Sequence, residues 1–91
     1  YTQLLNKRGG IEADLTIMRP RDDVFYVVTG SGFGTRDGNW IRSHMPRDRS
    51  VMMQDVTSAY GVINLCGPLS RKVLAKASED DIDNEAFAYM T

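Results

Sequence analysis

The chain reads as an α+β fold, a mixed or antiparallel sheet with helices on one face, in the order β-β-β-α-β-β-α. Three observations carry this reading. Residues 11–18 alternate, with Ile11, Ala13, Leu15 and Ile17 on one side and Glu12, Asp14, Thr16 and Met18 on the other, as a half-covered strand requires. Turn-forming residues at 6–10 and 21–23 flank that strand closely enough for hairpins. Apolar residues at helical spacing then follow Gly30 and, later, Pro68.

Taken in order, Tyr1 to Leu5 is β-prone and ends at the loop Asn6-Lys7-Arg8-Gly9-Gly10. The alternating strand is expected to break at Pro20, before the turn Arg21-Asp22-Asp23. Val24 to Thr29 is apolar on both faces, as in a central strand. Gly30, Gly32 and Gly34 lead into a helix from about Thr35 to Met45, with Thr35 as N-cap and Pro46 as stop. Phe33, Asp37, Trp40, Ile41 and His44 share its spacing, and Gly38 weakens it by about 1 kcal/mol relative to alanine. Val51 to Val56 and Tyr60 to Cys66 read as two more strands around Thr57-Ser58-Ala59. Gly67-Pro68 opens a second helix with Leu69, Val73 and Leu74 as its stripe, running to about Ala77. Ser78-Glu79-Asp80-Asp81 makes an acidic turn, and Ile82, Phe87 and Met90 belong to a last helical or irregular stretch. From Val24 onward this is a ferredoxin-like split βαβ unit lacking its final strand. Tyr1 stands inside a strand-like segment and Thr91 directly follows an apolar cluster, so residues 1–91 are expected to be part of a larger domain, truncated at both ends.

Composition excludes several function classes. Eleven Lys and Arg against twelve Asp and Glu give a net charge of −1, which argues against a basic nucleic-acid clamp or a polycationic membrane binder. No apolar run approaches the roughly 20 residues of a membrane span. The one cysteine, Cys66, has no internal partner for a disulfide, which fits a reducing compartment.

Two stretches invite chemistry. Gly30-Ser31-Gly32-Phe33-Gly34 precedes a helix, with Asp55 beyond it, and so imitates a dinucleotide-binding fingerprint. Thr35 stands where the third glycine belongs, and glycines easing a tight strand-to-helix turn is the simpler reading. Asp14 sits mid-strand, where aspartate is disfavoured. A solvated outer face explains it; so does a carboxylate lining a cleft as base or as acceptor for a ligand amine. Glu12 and Asp14 project the same way, about 7 Å apart by the strand rise, and each hinders the other's ionisation. His44 is the only histidine, and no spacing supports a metal site. Cys66 reads as a small buried residue and Arg42 to Arg49 as a solvated loop.

The segment from Asn6 to Ile17 resembles the N-x-x-G-G-[IV]-x-x-D-L-[TI]-[VI] hairpin of the glycine-cleavage aminomethyltransferase (T-protein) family. Phe25 to Gly30, Asp37 to Arg42, Cys66 to Leu74 and Asn84 to Thr91 follow in the same order, so the resemblance spans the chain. It is nearest to the branch fused behind an FAD-dependent domain, similar to sarcosine and dimethylglycine dehydrogenases, with Val28-Thr29-Gly30 as the discriminator. Stand-alone transferases more often carry asparagine where Gly30 stands.

The resemblance implies a tetrahydrofolate site, with FAD in a separate N-terminal domain of the parent protein. Asp14 matches the catalytic aspartate, which would orient the cofactor and assist proton removal as a folate nitrogen captures a one-carbon unit from an N-methylated amino acid. Tyr1 and Thr16 match folate-contacting positions, and Gly30 allows close backbone approach beside the pocket. The implied partners are folate, an amine-derived one-carbon donor and the rest of the parent chain, without nucleic acid or membrane. The implied compartment is the bacterial cytoplasm or the mitochondrial matrix, without secretion. Residues 1–91 alone are expected to be inactive. A non-catalytic binding or regulatory module on the same fold is the alternative. A nucleotide-binding βαβ protein is a third reading, and it predicts a parallel sheet where the others predict hairpins.

Overall fold

The computed structural model describes residues 1–90, which fall into two compact units, Tyr1–Gln54 and the chain from Asp55 onward. In the first, β1 (Thr2–Leu5), β2 (Ile11–Arg21) and β3 (Val24–Val28) form an antiparallel sheet in chain order. Hairpin pairing of this kind removes the nucleotide-binding βαβ reading. Asp55, the acidic residue of that imitated fingerprint, accepts the Thr57 backbone N–H at 3.0 Å just before a single 3₁₀ turn, Thr57–Ala59.

Asn6 builds the first hairpin. Its Oδ1 accepts the backbone N–H groups of Arg8 and Gly10 at 2.9 and 3.0 Å, and its own N–H donates to the Gly10 carbonyl at 2.9 Å. Gly9 has φ +78°, a left-handed conformation that glycine adopts without strain. A Cβ on Gly10 would stand 2.8 Å from Asn6 Nδ2, so the amide folds over the position only because no side chain is there.

Two irregularities shape β2. Leu4 pairs with Ala13 but Leu5 with Ile11, leaving Glu12 as an extra residue. Met18 pairs with Tyr26 and Arg21 with Val24, so Arg19 and Pro20 together oppose Phe25. The strand therefore does not end at Pro20. A bulge has no ladder bond for proline to break, and pairing resumes at Arg21.

A 3₁₀ turn, Ser31–Phe33, leads into α1 (Gly34–His44). Phe33, not Thr35, holds the capping position, and no side chain caps the helix. Leu4, Leu15, Ile17 and Val27 from one sheet face line an apolar cavity of about 310 Å³ with Trp40, Ile41 and His44 of α1. Leu15, 3% exposed, is the one buried apolar side chain among the described residues. His44 lies at the end of α1 with its ring stacked on Trp40 at 3.9 Å.

The later elements depart from expectation. Val51 to Val56 and Tyr60 to Cys66 are not strands among the described residues. A strand is defined by its ladder, and neither segment finds one; Met52 and Ile63 stand 94% and 91% exposed. The split βαβ unit is accordingly not formed, although the α+β class holds. Helix α2 is short, Ser70–Leu74, and Cys66 is exposed rather than buried. Arg71 gathers the stretch after it into turns rather than a helix. Its guanidinium donates to the carbonyls of Ile82, of Asp83 at 3.1 Å and of Phe87 at 2.8 Å, and lies 5.6 Å from the Phe87 ring centroid.

Candidate functional site

A second cavity of the first unit, about 280 Å³, opens where the N-terminal half of β2 meets the chain leaving β3. Glu12 and Asp14 from β2, Thr29 and Gly30 beyond β3, and Phe33, Arg36 and Asp37 at the entry to α1 line it. Its wall is partly polar and partly apolar, unlike the apolar cavity under α1.

Asp14 is exposed, and Tyr1 Oη donates to its Oδ2 at 2.9 Å. The hydrogen bond first, and the carboxylate charge second, hold the Tyr1 phenol above its usual range. The register explains the meeting: Thr2 pairs with Leu15 and Gln3 with Asp14, so Tyr1 lies within diagonal reach of Asp14 across the sheet. Thr16 is two residues along β2 from Asp14 on the same face, but it does not line the cavity. Of the four residues singled out by the resemblance, Asp14 and Gly30 share the cavity wall, Tyr1 touches Asp14, and Thr16 stands apart from the cavity.

Glu12 does not behave as one of a pair of hindered carboxylates. The bulge breaks strict alternation at Glu12, and Asn6 Nδ2 donates to its Oε1 at 2.8 Å. Arg36 Nη2 donates to the Glu12 carbonyl at 2.5 Å and lies 3.4 Å from Oε2. The Asn6 amide first, with Arg36 adding, holds the Glu12 carboxyl below the usual carboxylate range.

Asp37, 3% exposed, is the buried charged residue among the described ones, and it accepts a hydrogen bond from Thr29 Oγ1. A buried carboxylate persists only with a donor, so this bond ties the end of β3 to the first turn of α1. Arg36 and Asp37 thus pin α1 to both strands that bound the cavity. Sequence reasoning missed these two roles. The signal was present, because Asp37 falls on the stripe of Phe33, Trp40, Ile41 and His44, where a charge needs a partner.

Carboxylates accept hydrogen bonds and donate none when ionised, so this wall suits a ligand bearing N–H groups. Among the described residues no group of three or more His, Cys, Asp or Glu is placed to hold a metal ion. Nor, among the described residues, is any helix long and apolar enough to cross a membrane.

A small α+β module with a carboxylate-lined cavity beside a glycine-bearing hairpin is what the fold and this site define. The chain belongs to the GCVT N-terminal domain family, which it matches over residues 1–91. It is 32% identical over 90 residues to mitochondrial dimethylglycine dehydrogenase of Mus musculus, covering 98% of this chain and 10% of the relative. It is 37% identical over 89 residues to the formaldehyde-forming 4-methylaminobutanoate oxidase of Paenarthrobacter nicotinovorans, covering 98% of this chain and 11% of that protein. The human mitochondrial dimethylglycine dehydrogenase is 29% identical over 90 residues, again 98% of this chain and 10% of the relative. These relatives are enzymes by name, and this chain spans about a tenth of their length. No solved structure matches it.

Proposed function

We propose that these residues form part of a tetrahydrofolate-binding module that accepts a one-carbon unit released by oxidative demethylation of an N-methylated amine elsewhere in the parent chain. The observation that carries this reading is Asp14 on the wall of a small cavity, within a family whose members include N-methyl amine dehydrogenases and oxidases. The cavity lies near the small end of ligand pockets, roughly 300–1,000 Å³, so it suits the ring end of a folate rather than its whole length. When bound, tetrahydrofolate supplies the nitrogen that takes up the carbon.

The chain's own residues then have separate tasks. Asp14 accepts an N–H of the ring and takes the proton released as carbon is transferred. Tyr1 holds the Asp14 carboxylate in one orientation until a ligand N–H replaces the phenol. Gly30 lets the ligand approach the backbone, and Thr16 extends the polar face beyond the cavity. The glycines at 30, 32 and 34 sit in no βαβ unit, so they do not form a dinucleotide-binding turn, and in this reading the flavin is held by another part of the parent. A bacterial cytoplasm or mitochondrial matrix suits this chemistry, and two of the named relatives are mitochondrial.

The test is tetrahydrofolate binding and carbon transfer by the full-length parent, wild type against Asp14→Asn, with amine oxidation assayed alongside. Transfer is expected to fall about 100-fold or more while oxidation is unchanged. A wild type that binds no tetrahydrofolate removes the transferase reading and leaves a non-catalytic module on the same fold in its place.

A further inference from the structure

We propose that Phe33 is a ligand-contacting wall of the Asp14 cavity and selects for planar, nitrogen-bearing rings, a role opened by the glycine at position 30. The identity of the ligand rests on the folate reading above; the role of the ring rests on local geometry. Phe33 lines the cavity yet is 58% exposed. An aromatic ring left in water at a cavity mouth gains free energy when something apolar covers it. A Cβ built on Gly30 would stand 3.2 Å from Phe33 Cδ2 and 3.8 Å from Cε2, so the ring lies beside the space a side chain there would enter. The Phe33 N–H donates to the Gly30 carbonyl at 2.9 Å, closing the turn and keeping ring and glycine in register.

The cavity therefore offers two kinds of recognition. Asp14 accepts N–H donors, and Phe33 presents a π surface among the lining residues. A flat heterocycle with N–H groups on its edge uses both at once. An acyclic amine or an amino sugar uses only the carboxylate. Position 30 bears on the balance, because a Cβ there would press on Phe33 Cδ2 and the ring would have to give by a few tenths of an ångström.

The experiment is calorimetric titration of the full-length parent with tetrahydrofolate for wild type, Phe33→Leu and Phe33→Trp, with thermal unfolding of each. Proton NMR of the bound ligand is recorded in parallel. Phe33→Leu is expected to weaken binding about three- to tenfold and to abolish the upfield ring-current shift of the ligand protons. Phe33→Trp is expected to retain both. Unchanged affinity and unchanged ligand shifts in Phe33→Leu overturn the role of Phe33 and leave the folate reading standing. Equal weakening in the Leu and Trp variants with a lowered thermal midpoint assigns the ring to packing and also overturns it. A wild type that does not bind overturns both readings.

Discussion

The two units spend similar sequence material differently. In the first, alternating apolar residues meet a partner strand in register, and one of them, Leu15, is buried in the space it lines with α1. In the second, Tyr60 to Cys66 has comparable apolar content but no ladder, and Ile63 faces water. What organises the second unit is a single guanidinium, Arg71, holding three carbonyls. Apolar content alone does not make a strand; a neighbour with unpaired backbone groups does.

This contrast can be broken or sharpened by substitution. Leu15→Ala is expected to destabilise the first unit by about 2–5 kcal/mol, the cost of emptying a packed site. The chain's one tryptophan, Trp40, lies in that unit, so its fluorescence during urea unfolding reads this loss directly. Thr29→Val should come next, at about 1–3 kcal/mol, because it strips the donor from the buried Asp37 carboxylate. Thr29→Ser, which keeps the hydroxyl, should recover most of that stability in the same assay. Asn6→Ala removes two backbone contacts and the bond to Glu12, and should cost about 1–2 kcal/mol, seen as faster amide exchange at Arg8 and Gly10.

A smaller effect follows pH. The folded Glu12 carboxyl titrates below its unfolded value, so its contribution is complete above the unfolded value and is lost as pH falls through the folded one. The Gly10 amide resonance should shift across that acid window, and Glu12→Gln should flatten the response. Smallest of all, Ile63→Ala should change stability by no more than about 0.5 kcal/mol. A larger loss there would mean that the second unit has a core of its own, and the contrast would fail.

The legible parts of the fold were those whose signals are local. Alternation in residues 11–18 and the Asn6 to Gly10 loop specified the first hairpin, and the helix of Trp40 and Ile41 lay within a residue or so of expectation. Pro20 misled because a lone proline reads as a stop, whereas the bulge that absorbs it depends on pairing with Phe25 across the sheet. The strands expected after Val51 failed for the same reason, since pairing is a relation between distant segments. In the candidate site, Asp14 stood out as a carboxylate in a strand. Arg36 did not, because its contact with Glu12 exists only once α1 has packed, and Phe33 read as one more apolar member of the helical stripe.

The bulges at Glu12 and at Arg19-Pro20 have a consequence for how this chain tolerates insertions and deletions. Between them β2 is fastened on both edges, to β1 through Ala13 to Leu15 and to β3 through Thr16 to Met18. Adding or removing one residue in that interval would carry Asp14 to the opposite side of the sheet or shear one of the two ladders. The stretch from Ala13 to Met18 is thus fixed in length, whereas the Lys7-Arg8 tip can vary in length at the cost of a loop rather than a site. Homologous sequences aligned across this region should place their gaps outside that six-residue interval, and a gap within it should coincide with loss of the aspartate.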